Sequence, residues 1–305
     1  MIYEYALEPA VLYSWAGNDR DYAEFLREYG IGSPRIVSSF PKKKKAKLRS
    51  FFFSSINPDD QTLRGRRYTE MVTKIVEELA LRDIVYNLDT SWQELVISEN
   101  ARLPFGVIIS KDAISTERNI TPKTMYKDNS LWHCPRQFDI QRTNERLSAV
   151  IGALIRLSTQ RIIIIDTFGW TTEAINFMRY IISSIAHNRV NSTIPKISIF
   201  YKEKQGGTNT GTSSPNAAHV RNAILMNNHN NVSLDVAELK EVNGQDVFHN
   251  RCVLTELGGV STGHGIGVSG QQEHTDEAYI MEPEIYYKKW KQFADNNCFD
   301  VVSQA

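Results

Sequence analysis

From Ser148 towards the end of the chain the apolar positions fall into short runs with two periods, one matching strands and one matching helices. Arg161 to Thr167, RIIIIDT, is a β-branched run bounded by polar residues, the pattern of a strand buried on both faces, and it is read as the central strand. Thr171 or Thr172 then caps a predicted helix whose apolar positions Ala174, Phe177, Met178, Ile181, Ile182 and Ile185 recur at helical spacing. Lys196 to Tyr201, KISIFY, predicts a second strand. A loop rich in Gly, Ser, Thr and Asn, QGGTNTGTSSPN, separates it from a helical stretch through Ala217, Val220, Ile224 and Leu225. Alternation of Val232, Leu234 and Val236 marks a third strand, and Phe248 to Leu254 a fourth. The order strand, helix, strand, helix, strand, strand predicts an α/β sandwich with parallel crossovers.

Before Ser148 the pattern is weaker. The face Tyr68, Met71, Val72, Ile75, Val76 and Leu79 predicts an amphipathic helix, VISENARLPFGVIIS is read as one or two strands, and the polar segment Ala113 to Asp139 as loop or linker. The expected division is a smaller α+β region of unassigned role over residues 1–147 and an α/β domain over 148–305.

Composition narrows the function without choosing it. A chain of 305 residues is long enough for two domains. With 35 basic and 35 acidic residues it carries no global field that would draw it to nucleic acid or anionic lipid, so any such binding must be local. Cys134, Cys252 and Cys298 are spaced like neither a zinc site nor a disulfide framework. The start, MIYEYALEPA, has acids where a secretory leader needs basic residues, and no run of about eighteen apolar residues occurs. A cytoplasmic protein is expected, with no metal and no cofactor.

The candidate chemistry lies in FHNRCVLTELGGVSTGHGI. His249 and Arg251 are two residues apart on a predicted strand and therefore point to the same side. The arginine carries a permanent charge on a planar fork that takes two phosphate oxygens at once. Glu256 offers a carboxylate to orient an imidazole or pair with Arg251, and His264, between Gly263 and Gly265, adds a titratable ring. Asp166, at the end of the central strand, is expected to line the same pocket, with the core residue Trp170 nearby. A second, weaker candidate for phosphate-backbone contact is the basic run Lys42, Lys43, Lys44 and Lys45 together with Arg64, Arg66 and Arg67, near three phenylalanines. Gly206 and Gly207 fit neither nucleotide-loop spacing, and His219, His229 and His274 are read as surface residues.

The register of His249, Arg251 and Glu256 followed by Gly263-His264-Gly265 resembles the HxKxxxxD signature and following Gly-Ser of the phospholipase D-like superfamily, with Arg for Lys, Glu for Asp and His for Ser. The segment is similar in motif to the phospholipase D-like C-terminal domain of MIT-domain proteins, and the resemblance spans about residues 160 to 295. It implies a phospholipase D-like α/β sandwich in the C-terminal half. In active members it implies metal-free chemistry in which one histidine attacks phosphorus and a second, from another motif copy, protonates the leaving oxygen. This chain has no second motif, since His133 is followed by Cys-Pro-Arg.

The expected function is therefore a phosphate-recognising, non-hydrolytic module that binds nucleic acid or a protein partner. Prokaryotic relatives with HxR motifs imply a place in an antiviral defence assembly. The alternative is a metal-independent phosphodiesterase or nuclease, with His249, Arg251 and Glu256 as catalytic residues, whose site is completed by homodimerisation. Membrane-lipid binding ranks third, given the balanced charge and the lack of an amphipathic basic helix.

Overall fold

The computed structural model describes residues 1–85, 90–127, 130–185, 187, 189–204, 213–226, 232–242, 248, 251–269, 271, 273–294 and 298–305. The chain is α/β and divides into two units, Ile2–Arg136 and Gln137–Ala305, the latter joined by Met1. This boundary corrects the expected one after residue 147. The segment just ahead of it already belongs to the second unit, which takes in β5 (Gln137–Gln141) and α6 (Asn144–Leu157). A cut at residue 147 would pass through that helix.

The first unit runs β1 (Tyr3–Leu7), α1 (Pro9–Ala16), α2 (Asp19–Glu28), β2 (Arg35–Val37), α3 (Lys45–Ile56), α4 (Leu63–Glu78), α5 (Trp92–Arg102), β3 (Val107–Ile109) and β4 (Asn119–Ile120). Its strands form a parallel sheet in the order β2-β1-β3-β4. Alternation along the strands supplies two cores. Tyr5, Leu7, Val107 and Ile109 join Trp15, Phe25, Phe52 and the buried face of α4. Ala6 and Ile108 between them join Phe40, Trp92, Val96 and Phe105. The expected helix is observed, with Tyr68, Met71, Val72 and Ile75 buried and Thr62 capping its start.

VISENARLPFGVIIS departs from expectation. Its first part is the end of α5, opened by a capping box between Ser91 and Glu94, and only Val107–Ile109 is strand. The segment read as linker likewise holds β4, an edge strand of the sheet, and the start of β5. Wholly buried Arg82 ties this unit together. It pairs with Glu4 at 2.7 Å and Glu99 at 2.5 Å, stacks over Phe105, and donates to the Leu103 carbonyl.

The second unit continues with β6 (Arg161–Ile165), α7 (Thr172–Ile185), β7 (Lys196–Lys202), α8 (Ala217–Leu225), β8 (Leu234–Glu241), β9 (Arg251–Thr255), β10 (Gly258–Thr262), β11 (Thr275–Ile280), α9 (Pro283–Ala294) and β12 (Phe299–Gln304). The sheet order is β12-β8-β7-β6-β9-β10-β11-β5. β6, β7 and β8 are parallel, as the two strand-helix-strand units require, and the remaining neighbours are antiparallel.

Both faces of the middle of this sheet are covered. Tyr201 donates to the Pro215 carbonyl just ahead of α8, while its neighbour Phe200 packs against Phe293 of α9 on the other face. Ile162 to Ile165 are each no more than 2% exposed, and full burial of such side chains stabilises by roughly 1.5–3 kcal/mol apiece. That explains the unbroken apolar run in the sequence. Among the described residues, no helix is long and apolar enough to cross a membrane.

Candidate functional site

Parallel β6 and β7 end, and antiparallel β9 begins, along one rim of the second sheet, because Ile165 pairs with both Phe200 and Cys252. Loops at the carboxyl ends of parallel strands leave crevices in α/β sheets. Here a cavity of about 550 Å³ is lined by Thr167, Phe168, Lys202, Phe248, Arg251, Gly263 and His264. Phe248 is fixed at its margin. It is wholly buried against Phe293 and Phe299, its N–H donates to Glu241 at 2.9 Å, and its carbonyl accepts from Thr167 Oγ1 at 2.8 Å. His249 follows it directly and lies outside the described residues, as do His229, Gly206 and Gly207.

Arg251 is the central cation of the described lining. Its Nη1 donates to the Gly263 carbonyl at 2.8 Å, its guanidinium stands over the Phe168 ring at 5.3 Å, and its Nε lies 3.8 Å from Oδ1 of Asp166. At that distance the contact with Asp166 is an ion pair without a hydrogen bond. Phe168, 44% exposed, gives the cavity an aromatic surface. The ammonium of Lys202 is engaged by Glu241.

Asp166 anchors the site from beneath. Only 3% exposed, it accepts the Phe168 N–H on Oδ1 and the Ile266 N–H on Oδ2, each at 2.8 Å. Burial pushes its carboxyl upward from the ordinary range. The two N–H donors, then the positive charges of Arg251 and Arg142, pull the other way.

The turn Gly263 to Gly267 passes so close that glycine is required. A Cβ on Gly265, which has a φ of +85°, would sit 2.1 Å from Asp166 Oδ2, and one on Gly263 would sit 2.6 Å from Asp276 Oδ1. Arg142 closes the far end of the turn by donating from Nε and Nη2 to the Gly267 carbonyl. Sequence reading missed Arg142 and Asp276, which come from β-strand neighbours more than ten residues away and carry no local signature.

Arg251, His264 and Asp166 are brought together, and Trp170 follows the same strand end with Lys204 Nζ 5.8 Å from its ring. Glu256 is not with them. It follows β9 at the opposite end, and five steps along the chain put it roughly 16 Å from Arg251. Its carboxylate is occupied by Ser158 Oγ at 2.8 Å and by the N–H groups of Thr159 at 2.5 Å and Gln160 at 3.2 Å. The expectation that it orients an imidazole or pairs with Arg251 is corrected to a structural role, tying the loop before β6 to the β9–β10 hairpin.

The basic run also serves the fold of its own unit. Lys43 pairs with Asp83, Lys45 donates to the Glu77 carbonyl, Arg64 stacks on Tyr13, and Arg67 pairs with Asp19 at 2.6 Å. Lys44 stands at the start of α3, Lys42 is half-buried just before it, and Arg66 is exposed on α4. Among the described residues, no three His, Cys, Asp or Glu side chains gather as a metal site.

No family model matches the chain, and no curated protein matches it. Among solved structures it is similar to Nuc from Salmonella typhimurium, a phospholipase D family member, at 9% identity and a TM-score of 0.35 over 55% of this chain and 97% of that one. It is also similar to TrmBL2, an archaeal chromatin protein described as having a novel mode of DNA binding, at 8% identity and a TM-score of 0.28 over 58% of this chain and 57% of that one.

Proposed function

We propose that the unit formed by residues 137–305 recognises a phosphate group of nucleic acid through Arg251 and does not cleave it. The observation that carries this reading is the guanidinium in the cavity wall, pre-set by Asp166 beneath it, by the Gly263 carbonyl and by the Phe168 ring. An arginine so constrained gives up little further freedom on meeting a phosphate, and its fork matches the geometry of two phosphate oxygens. With 35 charges of each sign on the chain, binding would rest on this local cation and not on a broad field.

The test is fluorescence anisotropy with labelled single- and double-stranded oligonucleotides in EDTA. Arg251→Ala is expected to weaken binding roughly tenfold and to lower the salt slope by about one phosphate contact. Equal binding by wild type and Arg251→Ala defeats the proposal. Shortening of the labelled strand in EDTA, abolished by His249→Ala, would replace it with a metal-independent phosphodiesterase.

A further inference from the structure

His264 stands in the lining of the Arg251 cavity with its side chain 66% exposed, and its Nδ1 lies 3.4 Å from Oδ1 of Asp276, whose own side chain is 2% exposed. Asp276 is held in place by the main chain. Its oxygens accept the His264 N–H at 3.1 and 3.0 Å, and Oδ1 also takes the Glu277 N–H at 2.8 Å. An immobile buried carboxylate therefore faces one nitrogen of an exposed imidazole.

A carboxylate at Nδ1 keeps the proton on that nitrogen, which leaves Nε2 as the ring atom available to a ligand. In the neutral ring Nε2 is an acceptor and opposes a phosphate oxygen. In the imidazolium it is a donor and brings a positive charge. Among the described residues, the other charged groups at the cavity are Arg251, bonded to the carbonyl of the preceding Gly263; Lys202, paired with Glu241; and Asp166 beneath Gly265. Glu277, next to Asp276, is engaged by the Gln137 side chain at 3.0 Å.

We propose that His264, set by Asp276, is a proton-dependent second anion ligand of this cavity, so that phosphate binding strengthens as pH falls through the range in which histidines gain charge. The inference rests on the reading of Arg251 above. Arg251 remains charged throughout and supplies the part of the affinity that does not depend on pH.

The test uses a tetramethylrhodamine-labelled oligothymidylate, in which neither dye emission nor bases titrate in the relevant range, with anisotropy at about pH 8 and about pH 5.5 to bracket histidine titration. Wild-type affinity is expected to rise on the order of tenfold at the lower pH, the worth of one charge-assisted hydrogen bond. In His264→Gln the ratio of the two dissociation constants should fall to about one, and His264→Lys, with a permanent charge at this position, should bind tightly at both. A flat wild-type profile, or a gain that survives in His264→Gln, overturns this inference alone. Arg251→Ala binding like wild type overturns the parent reading instead, and a wild type that binds at neither pH overturns both.

Discussion

The Nε of Arg251 lies 3.8 Å from one oxygen of Asp166, while the other oxygen of that carboxylate accepts the Ile266 N–H at 2.8 Å. One buried group therefore positions both the cation of the cavity and the glycine turn beside it. The carboxylate could not do both at a larger separation, which is why the turn has no room for a side chain at residue 265.

Gly265→Ala should disturb this arrangement at its tightest point. The new methyl would fall 2.1 Å from Asp166 Oδ2 and 2.7 Å from Arg251 Cδ, at a φ of +85° that L side chains rarely adopt. A cost of about 1–3 kcal/mol is expected from the backbone alone, seen as a lower Tm together with weaker oligonucleotide binding. An unchanged melting curve would show that the turn and Asp166 are not in close contact.

Glu256→Ala separates architecture from recognition. The truncation would leave the N–H groups of Thr159 and Gln160 and the Ser158 hydroxyl without the acceptor that now satisfies them, at a cost of about 1–3 kcal/mol. Denaturant titration should record that loss while the dissociation constant for the oligonucleotide stays at the wild-type value. A selective loss of binding with stability intact would restore Glu256 to the site.

In the first unit, Arg82→Met would strip Glu4 and Glu99 of their shared buried cation. Breaking a buried pair from one side typically costs about 3–5 kcal/mol. Circular dichroism melts should show a large drop in Tm, and a drop of only a degree or two would argue that the network is replaceable.

Alkaline stability follows from buried acids that resist ionisation. Burial pushes the Cys252 thiol from an ordinary 9.0 up to about 12, and burial likewise raises Tyr68, Tyr201 and Tyr286. A folded-state value above the unfolded one means the stabilisation is complete below the unfolded value and is lost as pH climbs towards the folded one. For Cys252 that window runs from 9.0 to about 12. Urea titrations at intervals across it should show falling stability, and Cys252 should resist alkylation in the native state throughout its lower part. Rapid native-state labelling of Cys252 would contradict its burial.

The second unit was legible in the sequence where burial leaves a periodic mark. The isoleucines of β6 and the apolar stripe of α7 gave their elements directly. The first sheet was not legible, since β2 and β3 have three residues each and β4 two, too few to display a period. α5 was hidden by the apolar pair Val96 and Ile97, although the Ser91–Glu94 spacing marks its start. The partner of Glu256 lay beyond reach for a different reason. Ser158 is 98 residues away in sequence, and only the β6–β9 pairing brings the two together.

The hairpin joining β9 to β10 turns on two residues, Glu256 and Leu257, and across its ladder Arg251 faces Thr262. Side chains alternate between faces, so adding or deleting one residue at that bend would slide β10 by one step against β9, which β6 holds on its other edge, and carry Gly263 and His264 out of step with Arg251. The length of a bend at the distal end thus governs whether the guanidinium meets the turn that completes its cavity, and the bonds that pin Glu256 to the strand-entry loop guard that length against slippage.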